Sequence, residues 1–472
     1  MPTDRAVCPF EKDPMSSQAP GQMIAEPVEG GPPALPPVPS ILMLAWPTIA
    51  GNLLYSVVGL VNTKIVGSLG ASAVAAVTTG HRMFFVLQAL LMAITAGTTA
   101  LVARAWGAGD RDEAERVTKA SMLVCVLVAL VMAVPGLLFA EQLAGIFRLD
   151  EETIAEAASF IRWLSVFNVA FAVPFVLGTA VRAAGDTMTP LWIGVITNLI
   201  NVVLVYALVY GGLGLPSLGV TGAAIATGLA FTAGAVIFLA MWWRGSLRVG
   251  LGPGGSLQRR RLMQLVRIGS PAGLEQLVWQ GGFIAFLWIV ALYGTAPYAA
   301  YGIGVNILSL SFVVGFGFSI AAATHVGQRL GAHDPEGAVR SGCHATRLAV
   351  LAMVGLGAAV VLGAPFIAGL MIDDAEVVRL TVIFIYILGV VQPLMAIEFT
   401  LGGSLRGAGD TRFPLITTLT GLVAVRVVLA GCFAWLGLSV EWVFGALIAD
   451  YVIKAIMLVW RFRSDRWKSI PV

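Results

Sequence analysis

The sequence predicts an all-α polytopic membrane protein with twelve transmembrane helices in two parallel six-helix bundles. Three observations carry that expectation. The chain is 58% hydrophobic and only 12% charged, about half the charge of a soluble domain. Its mean hydropathy is +0.88, and apolar runs of about 20 residues, enough to cross a ~30 Å hydrocarbon core as helices, recur along most of its length. A ten-residue phrase, "VRAAGDTMTP" at 181–190, returns as "LRGAGDTRFP" at 405–414. The short alternating segments of a membrane β-barrel do not occur.

Taken in order, residues 1–40 hold ten of the 23 prolines and a scatter of acids, the composition of a disordered tail. No basic-then-apolar-then-small pattern marks them as a cleaved signal. Spans follow at roughly 41–66, 82–103, 119–140, 157–180, 190–211 and 219–243, the first bundle (41–243). A linker at 244–267, with "GLGPGG" and six basic residues, leads to spans at roughly 268–292, 297–326, 345–371, 379–403, 414–438 and 442–460. These make the second bundle (268–461), and a basic tail closes the chain at 462–472. Pro174 in span four predicts a kink there.

The charges are distributed unevenly. With the first tail placed inside, one face receives the loops at 104–119, 181–189, 244–267, 327–347 and 404–413 and both ends. These segments hold 22 of the 29 Lys and Arg, including "QRRR" (258–261) and "RFRSDRWK" (461–468). The opposite loops hold Arg148 and Arg379 and carry acids, "DEE" at 150–152 and "DD" at 373–374. The positive-inside rule then puts both termini in the cytoplasm of a bacterial inner membrane. The four cysteines form no CxxC pair and read as packing residues or free thiols. The four histidines lack metal-ligand spacing. With no HExxH, GxSxG or paired catalytic aspartates, an enzyme is not expected. No catalytic residue, metal site, cofactor or nucleic-acid partner is expected either, and the chain reads as a monomer in the bilayer.

The repeat defines the architecture. Arg182 and Arg406 are 406 − 182 = 224 residues apart, and the same offset joins Pro47 to Pro271, Gly70 to Gly294, Gly107 to Gly331 and Asp110 to Asp334. Six spans return the chain to its starting side, so the copies are parallel, with a seam between them, as in transporters that work by alternating access. The doubled phrase lies between spans four and five of each copy. Gly185 and Gly409 permit a turn; Asp186 and Asp410, with the threonines after them, cap the next helix. Pro190 and Pro414 suit its first turn, and Arg182 and Arg406 anchor the preceding span at the headgroups. A capped hinge and an inner gate are both readings of this turn.

The doubled R-A/G-A-G-D-T-x-x-P, the "GAGDRDEA" after span two, "G-x-L-G-A-x-x-x-A-A" at 67–76 and "TNLINVVLVYALVYGGLGLPSLGVTGAAIAT" at 197–227 together resemble the multidrug and toxic compound extrusion (MATE) family over residues ~41–460. The resemblance implies secondary active export of amphipathic, mostly cationic organic compounds, driven by inward flow of Na⁺ or H⁺ as the transported coupling ion. Many members carry aspartate in span one, where this chain has Asn62, so an N-terminal coupling site is in doubt.

Ionisable groups within spans are functional candidates, and the second bundle offers Glu275, Glu398 and Asp450 as ion-coupling residues. Glu275 lies eight residues past Arg267 and Glu398 eight before Arg406, each ~12 Å from a basic helix end. At one depth, the two could share a proton or hold Na⁺. Asp450 has Lys454 one helical turn on and Arg426 as a second possible partner, an arrangement that also suits a structural ion pair. Asn62, Asn198, Asn201, Gln276, Trp279 and Gln280 are candidates for substrate contact, with Trp279 placed to meet a lipophilic cation. The alternative is a lipid-linked oligosaccharide flippase, which needs cavity-facing cations such as Lys64, Arg82 or Arg426.

Overall fold

A computed structural model of the chain describes residues 39–147, 149–212, 214, 216–252 and 258–470, without the side chains at 86, 87 and 89. The expected tail, apart from its last two residues, and Arg148 lie outside the described residues. Among the described residues there are helices and turns and no strand.

The first half runs through α1 (Ile41–Gly67), α2 (Ala71–Gly107), α3 (Arg111–Leu138), the short α4 (Ala140–Gly145), α5 (Glu151–Val166), α6 (Asn168–Ala183), α7 (Met188–Tyr210) and α8 (Gly219–Trp243). The second continues with α9 (Arg259–Ala291), α10 (Thr295–Gly331), α11 (Pro335–Leu362), the short α12 (Ala364–Met371) and α13 (Ala375–Gly407). Next come α14 (Arg412–Thr418), a π-helix (Leu419–Val427) and α15 (Val428–Trp435), which together form one span, and then α16 (Val440–Arg463). Among the described residues, 11 spans are long and apolar enough to cross a membrane, and α5 with α6 makes a twelfth, bent by 53°. The chain is a multi-pass membrane protein.

The bend expected at Pro174 lies instead at Phe167, seven residues earlier (174 − 167 = 7). Pro174 sits inside α6. Side chains held by neighbouring helices make the break. The Asn168 amide donates to the Ala129 carbonyl of α3 (2.8 Å), and Phe167 packs where Gly228 of α8 leaves no Cβ. The free cysteines are Cys125, buried, and Cys432, exposed; Cys343 packs in a core cluster of the second half, as expected of a packing residue, and is disulfide-bonded.

Each half has its own core. Phe84, Phe160 and Phe171 centre the first, whereas Tyr301, Phe384 and Phe444 pack edge-on or stacked in the second. The halves meet at the end that carries the basic loops. The opening turns of α1 (Ile41, Leu44, Ala45) join the core of the second half, and the last turns of α2 pack on the first turns of α9 through Leu265 and Ile268. Farther along, Gly59 of α1, Gly281 of α9 and Gly302 of α10 have open space beside them. The seam is therefore shut at the basic end.

Candidate functional site

The second half buries a chain of charges. Glu275 stands one turn past Pro271 on α9, and the Arg406 guanidinium grips it, Nη2 to Oε1 at 2.5 Å and Nε to Oε2 at 3.3 Å. Thr418 Oγ1 donates to the same carboxylate at 3.1 Å. Lys454 on α16 bridges Glu398 (3.1 Å) and Asp450 (3.2 Å), and Arg426 closes on Asp450 at 2.5 Å. Three cations thus balance three carboxylates. Without that pairing, six charges at this depth would be unaffordable. The π-helix places Arg426. Gly421 in the same segment lies so close to the Asp450 carboxylate that a Cβ there would overlap it.

Exposure separates the acids. Asp450 is 0% exposed, so it is locked between two cations, whereas the Glu398 side chain is 22% exposed and reachable. Glu275 and Glu398, expected as a pair that could share one ion, each have a protein cation within salt-bridge distance. The headgroup anchors are also corrected. Arg406 turns back over Gly402 toward Glu275, and Arg182 turns back over Gly178 to donate to Thr179 (3.2 Å). Both glycines leave the room that the long side chains need to reach inward.

Of the polar candidates, Asn62 donates to Asn201 across α1 and α7 (2.8 Å), and Asn201 donates to Thr227 of α8 (3.3 Å). Asn198 is spent on the Gly194 carbonyl of its own helix (2.9 Å). Thr227 was not legible as a member of this chain; its only signal was a polar residue in the small-residue run of α8. Gln276, Trp279 and Gln280 are half-buried on α9. Trp279 stacks with Phe283 (5.7 Å, 18°) and meets Phe312 edge-on (5.6 Å), and Phe312 in turn meets Phe399, the neighbour of Glu398.

The doubled turn has nearly the same form in both halves. Gly185 and Gly409 adopt φ of +87° and +88°, a left-handed backbone that glycine accepts without strain. Asp186 accepts the Met188 and Thr189 amides (3.1 and 3.0 Å) and Asp410 accepts that of Phe413 (3.4 Å). Each following threonine ties the turn to the first helix of its own half: Thr187 donates to the Met43 carbonyl (3.1 Å) and Thr411 to that of Ile268 (2.7 Å). Pro190 and Pro414 fall in the first turn of α7 and α14.

The seam is closed by a reciprocal crossing of α2 and α10. Gly107 lies against the Gln328 carbonyl and Gly331 against the Arg104 carbonyl, with no room for a Cβ at either. Gln328 donates to Ala183 O of the first turn (2.7 Å), and Arg104 donates to Ala408 O of the second (3.2 Å). Arg104 and Gln328 are themselves 328 − 104 = 224 apart. The repeat therefore contained the signal for these two residues, which sequence reasoning passed over.

The family model MatE matches the chain twice, over residues 47–207 and 271–431, again offset by 271 − 47 = 224. The probable multidrug resistance protein NorM of Thermotoga maritima is 29% identical over 442 residues, covering 92% of this chain and 93% of that protein. The probable multidrug resistance protein NorM of Bradyrhizobium diazoefficiens is 30% identical over 438 residues, covering 89% and 92%. A solved structure of a MOP superfamily transporter from Pyrococcus furiosus shares the fold, with a TM-score of 0.84 at 22% identity over 91% of this chain and 96% of that one. Matched in both halves by one family model and along nearly its whole length by these relatives, the chain belongs to the MatE family of multidrug and toxic compound extrusion transporters and is not an enzyme.

Proposed function

We propose that this transporter is a secondary active exporter of amphipathic, mostly cationic organic compounds, an antiporter driven by inward flow of Na⁺ or H⁺. It acts as a monomer in the bacterial inner membrane with both termini cytoplasmic. The resistance-protein names of its relatives support the export of drug-like compounds. With the basic end inside, the closed seam corresponds to an outward-open state.

One observation carries the coupling. Glu275 holds Arg406, and Arg406 belongs to the inner turn whose Ala408 carbonyl is gripped from the other half by Arg104. A proton on Glu275, or Na⁺ in place of the guanidinium, frees Arg406 and so reaches the closed end of the seam. Because every deep carboxylate is already paired, an incoming cation acts by displacing a protein cation. Glu398, the more exposed acid, is next in sequence to Phe399, which meets Phe312 in the aromatic cluster with Trp279 and Phe283. A lipophilic cation is attracted by both charge and ring faces there, and neutralising Glu398 weakens its hold. Substrate release and ion uptake thereby compete for one group. The flippase reading draws no support from Arg426, which is consumed by Asp450.

The test is ethidium transport in proteoliposomes under separately imposed Na⁺ and H⁺ gradients, comparing the wild type with Glu275→Gln. Gradient-driven transport in the wild type, lost in the variant while dye binding persists, is the expected result. A variant that still responds to the gradient removes Glu275 from coupling.

A further inference from the structure

The segment after α16 does not hang free as a basic tail. Its Trp467 is 0% exposed and stacks on Phe462 (4.9 Å, 15°), donating its indole N–H to the Phe462 carbonyl (2.8 Å). Ile470 packs with the same cluster, which includes Leu405 and Ala408 of the inner turn. Seated this way, the segment delivers the Ile470 carbonyl to Arg104 of the opposite half, Nη1 to O at 3.0 Å. Among the described residues, no carboxylate lies within 4.0 Å of Arg104. Its half-buried guanidinium donates from Nη2 to the Ala408 carbonyl of the turn and from Nη1 to the Ile470 carbonyl of the tail, while Nε finds no partner among the described residues.

The pseudo-symmetric partner shows what this adds. Gln328 occupies the equivalent place on α10 and holds a single carbonyl, Ala183; one turn earlier His325 Nε2 lies 2.6 Å from the Pro39 carbonyl of the segment before α1. The crossing of α2 and α10 is otherwise reciprocal, so the second carbonyl on Arg104 is a fastening that Gln328 itself lacks, although α10 holds the segment before α1 through His325.

We infer that residues 464–470 are a strap that holds the basic end of the seam shut, with Arg104 as its catch, and that the strap must let go of Arg104 before this end opens. The catch is a positioning residue. It acts on the equilibrium between seam states and touches neither ion nor substrate. A charge-assisted hydrogen bond of this kind shifts such an equilibrium by roughly tenfold.

Hydrogen–deuterium exchange of the full-length protein in nanodiscs reads this directly, with no substrate or gradient, so it stands whether or not the coupling reading does. The variants are a stop after Ser464, Trp467→Ala to unseat the strap, and Arg104→Gln to shorten the catch while the strap stays. Expected for all three is about tenfold faster exchange in peptides spanning 104–110 and 328–334. Slower exchange is expected at the far ends of α1 and α9 as that side closes. If exchange rises only in the cluster beneath the strap (397–408 and 455–463), the segment is mere packing and the inference fails. If the shortened chain does not fold, Arg104→Gln decides alone, and unchanged exchange there overturns it.

Discussion

The interiors of the two halves differ far more than their frames. In the first, Asn62, Asn201 and Thr227 form a neutral hydrogen-bonded chain. In the second, Arg426, Asp450, Lys454 and Glu398 form an ionic one. The two sit in corresponding places. Thr227 ends "GAAIAT" and Asp450 ends "GALIAD", 450 − 227 = 223 residues on, one short of the general offset. The same contrast holds at the turns, where Arg406 has Glu275 and Arg182 has Gly51 in the equivalent position (275 − 51 = 224). Duplication preserved the capped turns and the crossing of α2 and α10. The charges diverged, so the second half presents buried carboxylates where the first presents amides and hydroxyls.

Five substitutions break or sharpen that contrast. Arg426→Leu leaves Asp450 buried with one partner fewer and costs about 3–5 kcal/mol, seen as loss of monodisperse protein or a large drop in the thermal midpoint. Adding Asp450→Asn recovers most of it, because Lys454 and Glu398 still balance. Gly331→Ala pushes a methyl into the Arg104 carbonyl and costs about 1–3 kcal/mol of overpacking. Since that clash exists only while the basic end is shut, exchange at 104–110 rises more than in the core around Phe384. Asn201→Ala removes the middle of the neutral chain and costs about 1 kcal/mol. A loss as large as that of Arg426→Leu would contradict the division between the halves. Gly51→Glu supplies Arg182 with the carboxylate its counterpart has; the site is open enough that the nearest atom to a new Cβ is Leu191 Cδ1 at 3.6 Å. A gain of at most about 1 kcal/mol in thermal stability is expected, and a loss above that shows that the turns are not equivalent in depth.

Much of the architecture was legible in the chain itself. Apolar length fixes the number of crossings, an even count fixes the parallel relation of the halves, and the offset of 224 locates both turns. These are properties of local chemistry: a helix crosses if it is long and apolar enough, and a Gly-Asp-Thr turn caps wherever it occurs. The three deep acids were legible for the same reason, as charges have no bland explanation inside a bilayer.

Partners were not legible, because they depend on how far a side chain reaches after helices pack. Arg406 looks like a headgroup anchor by position and becomes the partner of Glu275 only because Gly402 lets it fold back beside α9. Asn198 and Asn201 share a sequence spacing, yet only Asn201 finds Asn62, since one helix face meets α1 and the other position turns to its own backbone. The bend of span four follows Phe167 and Asn168 and not Pro174, because neighbouring helices hold those two side chains. The sequence by itself determined a duplicated, twelve-crossing frame with charges in its second half. Only the tertiary structure decided which charge neutralises which and at which end the seam is shut, because pairing and closure are set by distances between helices that no single helix encodes.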